Sequence, residues 1–523
     1  MTHVPAPLSE GRARSVALVA AIGILQGIAM GIAAFATRDA FAALHQAQSQ
    51  RPLTLAILVG AGVAVALLRV LARARAESLG QHYAKSLRHR LYDHIAGMSE
   101  SDLAKRRTGA LSLRFVGDLS AARGWVGLGI TRLVSAVVVL PGAALVLYLL
   151  NPYLALAASL PVAASLLLAF GLAIGLEHYH RRLRSRRARI AINMMERIAQ
   201  APDLDLAGRT GKELEVLDEN GDRLRQQATA RVTRSSLLRA IPQIGAALGG
   251  VAILWAAARP DIAAAEAAAA LAMLGILMLP LQELAGVWDR YCGWRVAREK
   301  CGKLLAQPST RRLSERQGRP VSVTLDNAKL RALTVNAVLP AGSLTFVSGP
   351  NGSGKSSLAA MVAGLSPPEQ GHVLYDEGRV ALPSVAYVPD RPAMLRGSLR
   401  RSLSLGLSPR PSRRKTDRVA QQMGLGGLLS RIGGIDGSLP SGASVISNGE
   451  ALRIALARAI LSRADLIVVD NAQLRADPEG ALLLKRLRTK TKATVLVTGP
   501  RMTGFTNART LVLADRRAIL SHD

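Results

Sequence analysis

The chain has 523 residues, 49% hydrophobic and 20% charged, with 67 Lys and Arg against 36 Asp and Glu and a net charge of +31. That much apolar surface excludes a disordered chain, and two cysteines, Cys292 and Cys301, exclude a disulfide scaffold. So large a basic excess suits nucleic acid or a membrane surface, and the distribution of charge decides for the membrane, with no nucleic-acid partner expected.

Residues 15–37, 52–68, 133–176, 240–258 and 267–282 carry no charged side chain. A helix needs roughly 20 apolar residues to cross the hydrocarbon core. Residues 133–176 are long enough for two spans, broken at Asn151-Pro152, so six spans are predicted. The shorter runs are completed by flanking Arg and Glu that snorkel to the interface. The first run is too long for a cleaved signal peptide, and Gln26 and Gly31 interrupt it.

The connections after spans one, three and five carry Arg38, Arg51 and Arg259 as their cations, whereas residues 75–123 carry nine cations and residues 177–239 carry fourteen. The positive-inside rule then places both termini in the cytoplasm of a bacterial-type inner membrane. Residues 181–189 hold a dense run of Arg, which reads either as an anchor for anionic lipid or as a solvated helix face. The two basic connections are expected to be helical extensions, with tips near 115–122 and 203–209. Polar candidates within the spans are Gln26, Ser135, Gln243, Gln282 and Glu283. Glu283 stands near the cytoplasmic end of span six, where an ionisable residue is either functional or interfacial. An aromatic content of 3% gives no sign of an aromatic-lined pocket. The abundance of Gly and Ala suits close packing between spans.

From Lys303 the pattern changes. Residues 303–320 read as a linker between a membrane domain, 1–302, and a second domain, 321–523, in which short β-branched runs alternate with helical segments. A strand over 343–348 runs into Gly349-Pro350-Asn351-Gly352-Ser353-Gly354-Lys355-Ser356-Ser357, and residues 358–365 read as a helix. This is G-x-x-x-x-G-K-[ST] in its strand–loop–helix setting. The glycines let backbone N–H groups turn toward phosphate oxygens, and the helix adds its positive N-terminus. Lys355 is suited to the β- and γ-phosphates and the Ser356 hydroxyl to Mg²⁺. A second hydrophobic strand, 466–470, ends in Asp470, a carboxylate placed to reach the same Mg²⁺.

Six spans with long cytoplasmic connections, fused to a P-loop domain, resemble an ABC exporter half-transporter. Ser447-Asn448-Gly449-Glu450, with the helix carrying Arg453 and Arg458 after it, resembles the signature motif of that family. Residues 474–477 resemble its D-loop, and the two basic tips its coupling helices. The resemblance implies an all-α six-helix transmembrane domain followed by an α/β P-loop NTPase domain. It also implies ATP and Mg²⁺ as cofactors. Gly349, Asn351, Gly352, Ser353, Gly354, Lys355, Ser356, Ser357, Asp390, Ser447 and Gly449 would bind nucleotide, and Ser356 and Asp470 the metal.

Several positions depart from the family pattern. Asn471 stands where the family has a catalytic Glu, and an amide has no basic oxygen at neutral pH. Loss of a general base costs typically 10²–10⁴ in rate. The switch His falls on Gly499 or Pro500, and no His occurs from Val373 to Ser521. Asp390 replaces the Q-loop Gln; it can bind a cation but repels phosphate. No aromatic residue lies between Lys303 and Thr345 to stack on adenine, an interaction worth roughly 1–3 kcal/mol. In the signature, Asn448 replaces a Gly, and its tolerance of left-handed backbone is expected to preserve the loop.

These departures spare the groups that hold nucleotide and remove those that assist hydrolysis. In the family, two nucleotide domains pair head to tail around two ATP molecules. The expected function is therefore the catalytically degenerate half of a heterodimeric exporter of a small molecule, peptide or lipid, whose partner is a second, competent half-transporter. Two alternatives stay open: an active homodimeric exporter, and an ATP-sensing membrane regulator without transport. The residues do not name a cargo.

Overall fold

The computed structural model describes residues 4–46, 49, 51–99, 102–103, 111–112, 114–260, 262–309, 314, 317–330, 333–394, 397–439, 446–514 and 517–521. Residues 310–313 and 315–316 of the expected linker lie outside that set. The chain divides into two compact units, one formed by Met1–Ala96 with Arg106–Pro308 and the other by Ser309–Asp523 with Gly97–Lys105.

In the first unit, six helices are long and apolar enough to cross a membrane, as the uncharged runs predict. The principal helices are α1 (Arg12–His45), α2 (Pro52–Ala96), α3 (Ile130–Leu150), α4 (Pro152–Ala173), α5 (Leu176–Ala199), α6 (Thr210–Ala256) and α7 (Ala264–Leu305). The turn expected at Asn151-Pro152 separates α3 from α4. Asn151 is extended, with φ −162°, and its Oδ1 accepts from the N–H groups of Tyr153 and Leu154 at 3.0 and 3.3 Å. Its Nδ2 donates to Glu266 at 2.7 Å, so one side chain caps α4 and ties the turn to α7. Pro152 starts α4, where its missing N–H costs nothing.

The lipid-facing side is apolar. Leu156, Leu160, Leu167 and Phe170 on α4 are exposed, as are Leu67 on α2 and Ile28 on α1. Between spans, small residues permit close approach. A Cβ built on Gly245 of α6 would lie 2.2 Å from Ser165 Oγ of α4, and Gly249 lies against Ala158 of α4. Gly80 of α2 and Gly127 meet backbone to backbone: a Cβ on Gly80 would come 2.7 Å from Arg123 O, and one on Gly127 2.7 Å from Ala76 O.

The basic connections differ in detail from the expected helical hairpins. Residues 115–122 are no tip. They lie in the helical run Arg114–Leu150, with π-type turns at Arg114–Asp118 and Gly124–Gly129. Residues 104–110 lie outside the described set. The second tip is where it was expected: a short helix, Ala201–Leu206, and Gly208 at φ 66° reverse the chain between α5 and α6. Gly175, at φ 88°, breaks the path from α4 into α5. Two carbonyls at that break are recovered by Trp288 Nε1 (2.9 Å to Ala173 O) and Arg234 (3.2 Å to Ile174 O).

Part of the Arg run at 181–189 has a structural duty that neither sequence reading foresaw. Arg181 pairs with Glu177 and Glu299, and Arg184 with Asp118 at 2.9 Å. Burial pushes the Arg184 pKa down, opposed by the Asp118 charge. Arg182, Arg187 and Arg189 stay exposed. A buried trio joins three helices: His180 Nε2 of α5 lies 2.8 Å from Asp289 Oδ1 of α7, and Arg231 of α6 donates to Asp289 Oδ2 at 3.0 Å.

The second unit is built on a nine-stranded sheet. Its strands are β1 (Val323–Leu330), β2 (Leu333–Leu339), β3 (Leu344–Ser348), β4 (Gln370–Tyr375), β5 (Val385–Pro389), β6 (Leu466–Asp470), β7 (Thr494–Thr498), β8 (Arg509–Ala514) and β9 (Arg517–Ser521). Their spatial order is β4-β1-β2-β9-β8-β3-β7-β6-β5. Strands β8, β3, β7, β6 and β5 run parallel, with Val347 opposite Thr498, Val469 opposite Val497, and Pro389 opposite Asp470. Their carboxyl ends therefore share one edge, the place where open α/β sheets bind ligands. Strands β3, β6 and β7 are almost wholly buried, which explains their continuous apolar sequence. Helix α8 (Lys355–Val362) packs Leu358, Ala359, Met361 and Val362 against the sheet.

The α4–α6 contact gives a direct test. Gly245→Leu is expected to cost about 1–3 kcal/mol through overpacking and to lower the thermal midpoint of the purified chain. Gly60→Ala on α2, where a Cβ meets nothing within 4 Å, should be neutral or slightly stabilising. Equal behaviour of the two variants would refute the close-packing account.

Candidate functional site

Strand β3 ends at Ser348, and the loop after it wraps to the start of α8. Its glycines are required by geometry. Gly349 has φ 150° and a Cβ there would lie 2.6 Å from Leu513 O; Gly354 has φ 100° and faces Leu333. Asn351 and Gly352 are exposed at the rim, Gly352 at φ 82°, and Ser357 follows in the first turn of α8. Lys355 Nζ donates to Gly349 O at 2.8 Å and Pro350 O at 2.7 Å, which holds the ammonium over the loop. The Ser353 hydroxyl is buried and has no partner among the described residues. An orphaned donor inside a glycine cradle, at a helix N-terminus with a Lys, is the donor set that a polyphosphate needs.

Asp470 closes the site from the end of β6. Its Oδ1 accepts from Thr498 Oγ1 at 2.8 Å and from Ser356 Oγ at 3.1 Å, and its Oδ2 accepts from Tyr387 OH at 3.2 Å. Strands β5 and β7 and helix α8 thus each contribute one donor to the carboxylate that ends β6. Ser356 and Asp470, the two expected metal ligands, are in direct contact. Together they fit a Mg²⁺ held by a hydroxyl and a carboxylate, which would neutralise phosphate charge when bound. Sequence reasoning missed Tyr387 and Thr498. The signal was available, since each ends or nearly ends a strand parallel to β6.

The departures from the family pattern take definite structural roles. Asn471 is 2% exposed. Its Nδ2 donates to Pro389 O at 2.7 Å and its Oδ1 accepts from Gln473 N at 2.9 Å. Both ends of the amide are spent on backbone. Asp390 Oδ1 accepts from Ala472 N at 2.7 Å, so it caps the turn after β6. Gly499, not the exposed Pro500, is buried at the end of β7. Its N–H donates to Val347 O at 2.7 Å and its φ is 120°.

The signature segment begins helix α9 (Asn448–Ser462). Residues 440–445 before it lie outside the described set. Asn448 is the first helical residue and is not at positive φ, so the left-handed conformation expected of it is not used. Ser447 is the N-cap. Its Oγ accepts from Glu450 N at 3.1 Å and its N–H donates to Glu450 Oε2 at 2.9 Å, a capping box. Glu in place of Gln serves that box equally well, and Arg431 holds its carboxylate at 3.0 Å. A Cβ on Gly449 would meet nothing closer than Asp477 at 3.6 Å, so Gly449 is not demanded by its own domain. Arg453 grips Asp477 of the D-loop segment through two bonds of 3.1 Å. Arg458 is buried against Ser402, and burial pushes its pKa down.

Two of the cavities among the described residues of the membrane unit bear on the sequence expectations. The first, about 200 Å³, is lined by Gln26, Ser135 and Glu283, three of the five polar candidates, together with Arg69, Arg73 and Arg132. Glu283 lines this polar cavity and lies 3.4 Å from Arg132. Gln243 is exposed and Gln282 half-buried, and neither lines it. The second cavity, about 580 Å³, is apolar and includes Trp125, Phe170, Trp288 and Tyr291. Low overall aromatic content misled here, because four aromatic residues from separate segments converge: Trp125 and Trp288 have ring centroids 5.1 and 5.4 Å from that of Tyr291. Cys292 and Cys301 are free and buried.

A P-loop, its carboxylate partner and a capped signature helix on one α/β unit, with six spans on another, define a membrane-bound P-loop NTPase. Family models agree: that of the ABC transporter transmembrane region matches residues 15–277 and that described as ABC transporter matches residues 333–473. The chain belongs to the ABC transporter family, with the membrane and nucleotide domains of an exporter-type half-transporter fused in one polypeptide. It is 25% identical over 429 residues to the ATP-dependent lipid A-core flippase of Salmonella typhimurium, covering 75% of this chain and 72% of that protein. It is 30% identical over 248 residues to the mycobactin import ATP-binding/permease protein IrtA of Mycolicibacterium thermoresistibile, covering 44% of this chain. The chain spans 27% of the length of IrtA and 26% of that of its smegmatis relative IrtB. Its fold is similar to a bacterial Atm1-family ABC exporter solved with ATP bound, with a TM-score of 0.83 and 18% identity over 97% of this chain and 94% of the other.

The carboxylate at the strand ends can be tested by an isosteric change. Thr498→Val should cost about 1.5–3 kcal/mol, the worth of a hydrogen bond to a charged group. Hydrogen-exchange protection of Leu466–Asp470 reads it directly. Tyr387→Phe, which removes the longer bond, should lower protection less. No change in either variant would show that Asp470 is held by other means.

Proposed function

We propose that this chain is the degenerate half of a heterodimeric ABC exporter in a bacterial inner membrane, with both termini in the cytoplasm. Its own site binds Mg²⁺-ATP and hydrolyses it slowly. The observation that carries this reading is the state of Asn471. A group that assists hydrolysis must be free to meet water, and this amide is buried with both ends bonded to backbone. The holding groups, Lys355, Ser353, Ser356 and Asp470, remain in place around the loop. Ser447 and Gly449, capped and sterically open, suit a signature offered to the nucleotide on a partner chain's P-loop. The partner would then supply the competent base and His. ATP favours the closed pair of nucleotide domains, and hydrolysis at the competent site resets it.

ATP turnover by the purified chain in lipid nanodiscs, with Lys355→Ala as control, tests this first. Nucleotide binding that depends on Lys355, without turnover that does, is the expected outcome. Turnover near one per second, abolished by the substitution, would overturn the degenerate reading in favour of an active homodimer. Asn471→Glu alone should not restore turnover, because a carboxylate at that buried position faces the Pro389 carbonyl.

The cavities bear on the cargo. Charged side chains at membrane depth are costly and are kept near partners or a pathway. Arg69, Arg73 and Arg132 face Glu283 alone among acidic residues lining the polar cavity. With the apolar aromatic cavity beside α7, this supports an amphipathic cargo bearing an anionic group, in line with the similarity to a lipid flippase over most of the chain. Arg69→Ala with Arg73→Ala should abolish stimulation of the assembled transporter's ATPase by phosphatidylglycerol and leave its basal rate unchanged. Undiminished stimulation would exclude that cargo class.

A further inference from the structure

Gly499, one of the two residues on which the switch position falls, follows β7, and the space beside it is filled. A Cβ built there would lie 2.9 Å from Cδ of Arg475, with Nε at 3.7 Å and Nη1 at 3.8 Å. The Arg475 side chain therefore lies across the backbone at the point where a side chain of residue 499 would emerge. Arg475 stands on the short helix Gln473–Ala476, directly after Asn471. The buried turn that uses the Asn471 amide presents it: Asn471 Oδ1 accepts from Gln473 N, and Arg475 N donates to Ala472 O at 3.2 Å.

The surroundings of Arg475 are those of the nucleotide site. Gly499 N–H is bonded to Val347 O, on the strand that feeds the P-loop. The neighbouring Thr498 hydroxyl is bonded to Asp470. The guanidinium itself is exposed and makes no hydrogen bond or ion pair among the described residues, in contrast to Arg453 on the adjacent segment, which is committed to Asp477. A bulkier residue at 499 would displace the Arg475 stem, so the Gly and the Arg form a matched pair.

We propose that Arg475 takes over the phosphate-facing half of the role vacated at position 499, contacting the terminal phosphate of a nucleoside triphosphate held by the same chain's P-loop. A guanidinium offers five N–H donors and no acceptor. It can grip anionic oxygens in a bidentate manner but cannot relay a proton as an imidazole does. Such a group selects triphosphate over diphosphate and adds nothing to proton transfer, which is what a retaining site requires. This inference rests on the reading that the P-loop binds nucleotide. It goes beyond that reading by naming the residue that senses the terminal phosphate.

The test is the ratio of affinities for fluorescent N-methylanthraniloyl ATP and ADP, measured with Mg²⁺ on the full chain in nanodiscs. The wild-type chain should prefer the triphosphate. Arg475→Ala should reduce that preference roughly tenfold, the loss of one charge-assisted contact, with ADP affinity unchanged. Arg475→Lys should restore part of it. A surface arginine without this role would leave the ratio untouched, and equal weakening of both nucleotides would mean a structural defect; either outcome overturns the proposal. Failure of the underlying reading looks different. In that case Lys355→Ala would leave the binding of both nucleotides as it was, or the wild-type chain would bind neither.

Discussion

One carboxylate organises the nucleotide domain. Asp470 lies where the ends of parallel strands converge, and it accepts hydroxyl hydrogen bonds from β5, from β7 and from the first turn of α8. A carboxylate at that edge would be poorly solvated and repelled by nearby carbonyls without those donors. With them, its two oxygens are aimed and the relative positions of four elements are held. The P-loop is the continuation of β3, the strand next to β7. The glycine-rich loop and the Asp470 carboxylate are thus placed by one hydrogen-bonding arrangement.

The same edge shows how altered residues find new employment. Asn471, Asp390 and Gly499 stand at positions where the family pattern has hydrolytic or nucleotide-sensing side chains. Asn471 and Asp390 have become caps for the turn after β6, one from each side. Gly499 gives up its side chain and Arg475 covers the gap. Glu450 builds a capping box that the Gln of the family signature could also build. Asp390, Asn471 and Glu450 each hold local backbone in order. In the membrane unit the equivalent economy is in packing. Gly245 and Gly249 bring α6 against α4, and Trp125, Phe170, Trp288 and Tyr291 converge on one cavity.

Much of this was legible in the chain alone, because its signals are local. Uncharged runs of span length, an Asn-Pro turn, a glycine-rich loop between strand and helix, and an apolar strand ending in Asp each follow from neighbouring residues. Six spans and the α/β class came from such signals. The errors came where contact between distant segments decides. Residues 115–122 were read as a tip and are part of a helical run. In the Arg run at 181–189, expected as a lipid anchor or a solvated face, Arg182, Arg187 and Arg189 are exposed, while Arg181 and Arg184 pair with acids on other segments. The pairing of Glu283 with Arg132 likewise joins segments far apart in the chain.

The sequence by itself determined the order of the domains, the number of spans, the glycine-rich loop between strand and helix and the apolar strand that ends in Asp470. Those features depend on hydrophobic periodicity and on short-range backbone geometry, which a sequence records directly. Only the tertiary structure decided what the exceptional residues do. Whether an amide is free or spent, whether a glycine leaves a gap or receives an arginine, and whether buried charges meet a partner are questions of separation in space. Residues such as Tyr387 and Asp470, or Arg69 and Glu283, are far apart in the chain. Parallel strand pairing and helix packing bring them together, and no local pattern encodes the distance between them.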